Sequence, residues 1–527
     1  MLPDLPYSQN TRTQVQAQFG GLDHRAGSGE GTLWDMKNLC SDEFPLLASR
    51  PPRHAAAESM AKPNGIYAAG KLFTVDGTTL YVDGEEAGTV ADSRKVFCAL
   101  GKRVVILPDK LIYTLDGTLE SLEASYSSPT GLVFGNGTYA GEDAELNSIT
   151  TAGDPFPFRV GDAVTISGCA VAEHNKTSII REISEDGKTL RFYENTFTQA
   201  ATESSAATLK RTVPDLEWLC ENENRLWGCK GDTICCCKLG DPYNWNVFDG
   251  ISTDAWSVET GSPGDFTGCV SFLGYPIFFK EDRVYKVYGS KPSNFEVMGS
   301  ATLGVLAGCG RSLAVAGETL YYLSRAGVMA YTGGVPALVS ASLGNVQYRT
   351  SVAGSDGMKY YCSMEDTDGN WALLVYDTQR RLWHKEDGLQ VLQMAYHGGL
   401  YALTAEGALV LLGTPAALPA WAAAEDGPDS MAEFGDFTWA SSDAKYPIRL
   451  HLRLETEAGT SVKVEIQYDS SGVWETAGQV GSGVKRGWHL PVPIRRCDHY
   501  RLRLTGQGRW RLYSMEHLYY DGQGSRK

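Results

Sequence analysis

LFTVDGTTLYVDG (Leu72 to Gly84) decides the fold, because two short runs of β-forming residues flank a Gly-containing turn with an Asp beside it, the form of a β-hairpin. The theme returns in RVVILPDKLIYTLDG (Arg103 to Gly117), RLWGCKGDTICCC (Arg225 to Cys237) and IFFKEDRVYKVYG (Ile277 to Gly289). It appears again in ETLYYLSRAGVMAYTGG (Glu318 to Gly334) and GLYALTAEGALVLLG (Gly399 to Gly413). One such unit buries too little apolar surface to stand alone, so the units must pack side by side, as in propellers and β-solenoids. At roughly 40 residues per repeat the hairpins make a β-propeller of six or seven blades, with seven favoured.

The repeats stop near residue 122 and resume near 216. Between them FRVGDAVTISGC and NKTSIIREISEDGKTLRFYENTFT give alternating strands around the turns Val160-Gly161-Asp162 and Asp186-Gly187. This stretch, 127–212, reads as a small β-barrel inserted between blades, with TQAATESSAATLK as its return strand or linker. Residues 61–126 and 213–413 are the two parts of the propeller. Within the second, VYDTQRRLWHKEDG (Val375 to Gly388) is a strand, an Asp turn and a strand whose Trp383 packs between blades. A linker at 414–434 leads to a C-terminal β module, 435–527, resembling a sandwich. There Leu450, Leu452 and Leu454 share one strand face and His451, Arg453 and Glu455 the other. Residues 1–60 read as an extended arm, with GEGTLWDMKNL supplying one helical turn near Trp34 and Met36.

Composition narrows the function. The 527 residues can bury a large core, and 58 Gly with 26 Tyr suit many turns joining aromatic-rich strands. A formal charge of -16 argues against a protein that grips nucleic acid by its phosphates. An acidic wall would instead let a polyanion slide past without sticking. The run Cys235, Cys236, Cys237 reads as strand, its side chains pointing alternately to opposite faces, and the 12 cysteines lack paired zinc-ligand spacing. They read as small buried hydrophobes and mostly free thiols, fitting synthesis in a reducing cytoplasm. MLPDLPYSQNTRTQ has no basic start followed by an apolar run, so no signal peptide is expected. GALVLLGTPAALPAWAAAE is broken by Pro415 and Pro419, so no membrane insertion is expected either.

Catalytic signatures are sparse. GxSxG, HExxH, GxxxxGKS and DxDxDG are absent. DTDGNW (Asp366 to Trp371) and DSSGVW (Asp469 to Trp474) miss the residue placement of an Asp box and read as hairpin turns with a packing Trp. GCGRSLAVAG lacks the Lys of a phosphate loop, and His489, His499 and His517 are too scattered to suggest a metal cluster. The chain therefore reads as a non-enzyme with no cofactor, no metal and no nominated catalytic residue. Arg495, Arg496, Arg501, Arg503, Arg509 and Arg511 stand out against the acidic background. Alternation puts Arg501 and Arg503 on one sheet face, and Arg509 and Arg511 likewise share a face. That surface is simply solvated, docks an acidic neighbour or, third, contacts DNA directly, and Arg501, Arg503 and Arg511 are candidates for the docking role.

Phe19-Gly20-Gly21, Asn38 in an amphipathic stretch and Arg50-Pro51-Pro52 form the most specific pattern. It resembles the opening of the tail-nozzle and packaged-DNA-stabilising proteins of tailed bacteriophages. ENENRLWGCKGDTICCCKLGDPYNW (Glu221 to Trp245) and LYYLSRAGVMAYTGG (Leu320 to Gly334) are similar to further stretches of that family. The resemblance implies a propeller with inserted and appended β modules, in a structural virion protein of the tail. It implies a homo-oligomeric ring, usually of six copies, seated against neighbouring tail or connector proteins and passing double-stranded DNA without sequence-specific binding. On this reading Phe19, Gly20, Gly21, Asn38, Arg50 and Pro51 are candidates for subunit docking. The competing expectation is a carbohydrate- or receptor-binding propeller at the tail tip, and a glycosidase comes third.

Overall fold

The computed structural model describes residues 11–25, 29–56, 58–128, 131–136, 147–192, 197, 199–203, 206–440, 443–481 and 486–521. The protein is all-β, built of propeller-type blades with a barrel-like insertion and a two-sheet C-terminal module. Among the described residues there is no α-helix, and none is therefore long and apolar enough to cross a membrane. The chain forms two compact units, 64–310 and a second made of 1–63 with 311–527.

In the unit 64–310, four antiparallel meanders of four consecutive strands follow one another, near 63–89, 96–121, 218–259 and 268–301. Successive sheets pack face to face. Phe73, Val75 and Leu80 of the first meet Phe97, Val104 and Ile106 of the second. The third sheet shows how strand alternation builds this stack. Cys235 and Cys237 join a core with Leu100, Val105 and Ile112 of the second sheet, whereas Cys236 joins one with Phe278 and Tyr285 of the fourth. All twelve cysteines are free thiols, and only Cys169 is less than buried.

The insertion is one eight-stranded antiparallel sheet whose first strand in sequence, Ala124–Ser127, pairs with its last, Thr208–Arg211. It wraps a single core that includes Phe134, Ile149, Val164, Ile180, Phe192 and Leu209. Its Asp186-Gly187 turn is tight: Gly187 has φ 70, and the Asp186 carboxylate accepts the Ser184 hydroxyl at 2.6 Å and the Lys188 N–H at 3.0 Å. Part of the TQAATESSAATLK stretch lies outside the described residues.

In the other unit, two blade sheets lie near 314–338 and 348–385. A third joins three consecutive strands of 391–412 to His54–Ala56 and Ala422–Ala424. The C-terminal module is a pair of sheets with strands from both ends of the chain. Leu450, Leu452 and Leu454 are all buried there, while Arg453 is exposed.

Three expectations are corrected. The stretch near Trp34 and Met36 is a strand, Leu33–Lys37, paired antiparallel with Asp429–Phe434. A neighbouring strand satisfies its backbone groups, which one isolated helical turn leaves largely unpaired. The N-terminal segment is correspondingly less an arm than a set of sheet strands: Thr11–Gln16 pairs with Trp510–Asp521, and Leu47–Ser49 pairs with the same strand. The stretch 414–434 is also more than linker, because Ala422–Ala424 and Asp429–Phe434 both enter sheets. Residues 1–10 lie outside the described residues.

Candidate assembly site

The Phe19-Gly20-Gly21 segment crosses between the C-terminal module and the blade sheet at 348–385. Phe19 is buried against the Phe434 ring at 6.0 Å. Gly20 donates its N–H to Gly31 at 2.9 Å, and the next residue, Leu22, donates to the main-chain oxygen of Trp383 at 2.7 Å. Gly21 lies directly on that backbone, where a Cβ would overlap the Trp383 carbonyl. Trp383 itself is buried, packs tilted against the Tyr376 ring at 4.9 Å and donates its indole N–H to the Val339 carbonyl at 2.9 Å. It therefore bridges two successive blade sheets.

Asn38 is the next anchor. Its φ of 53 lies in the left-handed region, where Asn is tolerated better than most residues. Its N–H donates to Glu386 at 2.5 Å and its side-chain amide donates to Asp429 at 2.7 Å. Its side-chain oxygen accepts the Arg50 Nε–H at 2.8 Å, and its main-chain oxygen accepts the Arg50 N–H at 2.9 Å. One residue thus ties together a blade sheet, the C-terminal module and the Arg-Pro pair, the first through its backbone and the other two through its side chain.

Arg50 and Arg53 enter a buried ion cluster. Arg50 pairs with Glu425, lies 3.7 Å from Glu386 and donates to the Pro51 carbonyl at 3.0 Å. Arg53 pairs with Glu386 at 2.5 Å and Asp387 at 2.6 Å, and its N–H donates to Glu425 at 2.9 Å. Burial opposes the charge of Arg53, yet Glu386 and Asp387 raise its pKa above the ordinary guanidinium range. Desolvation of a lone cation here would be prohibitive, so the paired carboxylates are what allow both arginines inside. Phe19, Gly21, Asn38 and Arg50 are buried in the chain's own fold, while Gly20 and Pro51 are partly exposed.

The arginines of the C-terminal module make a series of ion pairs on two sheets, Arg501 and Arg503 on the strand Tyr500–Gln507 of one and Arg511 on the strand Trp510–Asp521 of the other. Arg501 reaches Asp436 at 2.5 Å and lies 4.9 Å over the Trp34 ring. Arg503 reaches Glu465 at 3.0 Å and covers Trp474 at 4.2 Å, so the Asp469-to-Trp474 loop is a turn with a packed Trp. Arg511 reaches Glu43 at 2.8 Å, a partner 468 positions away. Strand alternation reveals the cations, but the acids that neutralise them come from remote segments that no local pattern connects.

The family-like stretch Glu221 to Trp245 has its own internal role. Arg225 is buried and donates to the carbonyls of Cys237 at 2.8 Å, Ser252 at 2.8 Å and Asp254 at 2.5 Å. In the Gly240-Asp241-Pro242 turn, Asp241 accepts the Asn244 amide at 2.6 Å. This presents Tyr243 to the insertion, where the Arg159 guanidinium lies 4.2 Å over its ring and Arg211 lies 5.1 Å away. Asn244 also donates to Asp162 of the insertion at 3.1 Å, and Asp162 pairs with Arg211. The motif is thus a clamp for the inserted barrel, a role the sequence did not disclose.

Among the described residues, one group gathers metal-type side chains: Asp469, Asp498 and His499, with ligating atoms within 4.8 Å of one another. Both carboxylates are exposed, and the group is satisfied internally, with Ser470 and His499 2.8 Å apart. His489 instead stacks on His451 at 4.1 Å, and His517 is buried 2.9 Å from the Tyr500 hydroxyl.

No family model matches the chain, and no curated protein matches it. Solved structures similar to it include a chain of the Mitotic Checkpoint Complex, at 9% identity and a TM-score of 0.32, covering 78% of this chain and 97% of that one. Raptor of Chaetomium thermophilum is similar at 9% identity and a TM-score of 0.31, over 68% of this chain and 29% of that one. The endosialidase of phage phi92 is similar at 8% identity and a TM-score of 0.23, over 86% and 76% respectively. At these scores the likenesses carry no statement about activity or partners.

Proposed function

We propose that the chain is a structural virion protein of a tailed bacteriophage, a tail-nozzle or head-to-tail component that assembles into a ring, with six copies favoured. The observation that carries this reading is where the resemblance residues fall. Gly21, Asn38 and Arg50 each sit at a point that admits almost no other residue: a backbone contact without room for a Cβ, a left-handed position with every amide group used, and a buried ion cluster. Residues held so tightly by the fold are ones a fold in common with that family would keep, and this is what supports the reading.

Blade sheets packed face to face are stiff, so a ring of these chains would hold a pore against the pressure of packaged DNA. The net charge of -16 would keep the duplex from adhering to the wall as it leaves. The ring would sit against neighbouring tail or connector proteins through the partly exposed arginines of the C-terminal module.

Negative-stain microscopy of the purified protein tests the reading. Annular particles are expected. Single discs together with the mass of one chain in solution, or a particle reconstruction that places the chain in fibres at the tail tip, would overturn it.

A further inference from the structure

We propose that a cavity between the N-terminal segment and the blade sheet at 348–385 binds a neutral saccharide. Its volume is about 400 Å³. That lies within the range of ligand cavities, roughly 300–1,000 Å³, and leaves room for about one or two sugar rings. The floor is apolar, formed by the buried side chains of Leu22, Met36 and Leu374. Tyr348 and Trp371 line the same cavity, and both are only partly buried.

The polar groups divide into those already used and those left open. Lys385 is paired with Asp35, Asp387 with Arg53, and the Asn370 amide donates to Asp366 at 3.0 Å. Among the described residues, the Tyr348 hydroxyl and the Trp371 indole N–H have no hydrogen-bond partner, and Lys37 makes no ion pair. Burial pushes the Tyr348 phenol well up, so it stays protonated as a donor. Tyr and Trp usually find a partner for their polar tips where they are sequestered, and both of these residues line the cavity with no protein partner for theirs.

These features select the ligand class. A purely apolar ligand would leave the hydroxyl, the indole N–H and the ammonium group without acceptors. An anion such as phosphate would meet Asp35, Asp366 and Asp387, against which Lys37 and Lys385 are too few. A sugar ring offers a C–H face to the aromatic wall and the apolar floor, and hydroxyl oxygens to the three open donors. The inference is independent of the ring assembly, because the cavity lies wholly within one chain.

The test is titration of the intact chain with maltotriose, cellotriose and N,N′,N″-triacetylchitotriose, with trigalacturonate as the charged comparison, read by tryptophan fluorescence. At least one neutral trisaccharide is expected to bind saturably. Tyr348→Phe, which keeps the ring and removes only the hydroxyl, should weaken that binding by roughly fivefold to tenfold at an unchanged melting temperature. Trp371→Phe should weaken it further. The proposal is overturned if no neutral trisaccharide binds at concentrations up to about 10 mM, if only trigalacturonate binds, or if both variants bind as the parent does.

Discussion

Asn38 holds Arg50 from two directions, accepting its Nε–H at 2.8 Å with the side-chain oxygen and its backbone N–H at 2.9 Å with the carbonyl. The sequence separates the two residues by a strand pair, Leu39–Cys40 with Leu47–Ser49, so their contact closes that small hairpin at its open end. The guanidinium is thereby aimed at Glu425 and Glu386.

Removing either partner should therefore destabilise the unit made of 1–63 and 311–527. Arg50→Ala leaves carboxylates without one of their cations in a buried setting, an effect of about 3–5 kcal/mol. Asn38→Gly keeps the left-handed backbone accessible and loses only the side-chain bonds, so its effect should be smaller, about 1–3 kcal/mol. Urea unfolding followed by tryptophan fluorescence would rank the two, and equal effects would mean that the ion cluster is not what holds the segment.

The two adjacent glycines should behave differently. Gly21→Ala drives a methyl group into the Trp383 carbonyl, and because the clash is with backbone it is not easily relieved, so loss of soluble protein or several kcal/mol of stability is expected. Gly20→Ala meets only the Thr32 methyl at 3.2 Å, which has room to give, and should cost about 1 kcal/mol or less. Expression yield and melting temperature of the two variants decide the matter.

Acid should destabilise the protein through its buried histidines. Burial, with Lys359 adding to it, depresses His384 from 6.5 to about 4, and burial alone depresses His517 to about 3. Unfolded histidines bind protons below about pH 6.5 that these two folded rings refuse. Stability is thus fully present above that pH and falls as the pH drops toward 4, by up to about 1.4 kcal/mol per unit for each ring. In His384→Leu the slope of unfolding free energy against pH between those limits should be shallower than in the parent; an identical slope would remove this ring as its source.

The arginine ion pairs of the C-terminal module allow stability and assembly to be separated. Arg501, Arg503 and Arg511 each pair with a carboxylate at a partly exposed position, so the triple change to Ala should lower stability by only about 1–3 kcal/mol in total. If these cations dock an acidic neighbour, the same variant should lose annular particles while its circular dichroism spectrum stays that of the parent. Rings of undiminished abundance would assign these ion pairs to the fold alone.

Alternation is a property of neighbouring residues, and whatever depended on it was legible from the chain alone. The hairpin from Leu72 to Gly84, the opposed faces of Cys235 and Cys236, and the buried row Leu450, Leu452, Leu454 all follow from a period of two combined with turn chemistry. The destinations of Leu33–Lys37 and Ala422–Ala424 were not legible, since short strands flanked by Gly or Pro carry little local signal and acquire their hydrogen bonds only from a partner brought in by the tertiary fold. The same holds for charge. Arg53 meets Glu386 across 333 positions and Arg511 meets Glu43 across 468, so the sequence displays the ions while only the folded chain decides which of them neutralise one another. The physical reason is range: strand periodicity acts over a few residues, whereas desolvation forces each buried charge to find whatever opposite charge the fold places beside it.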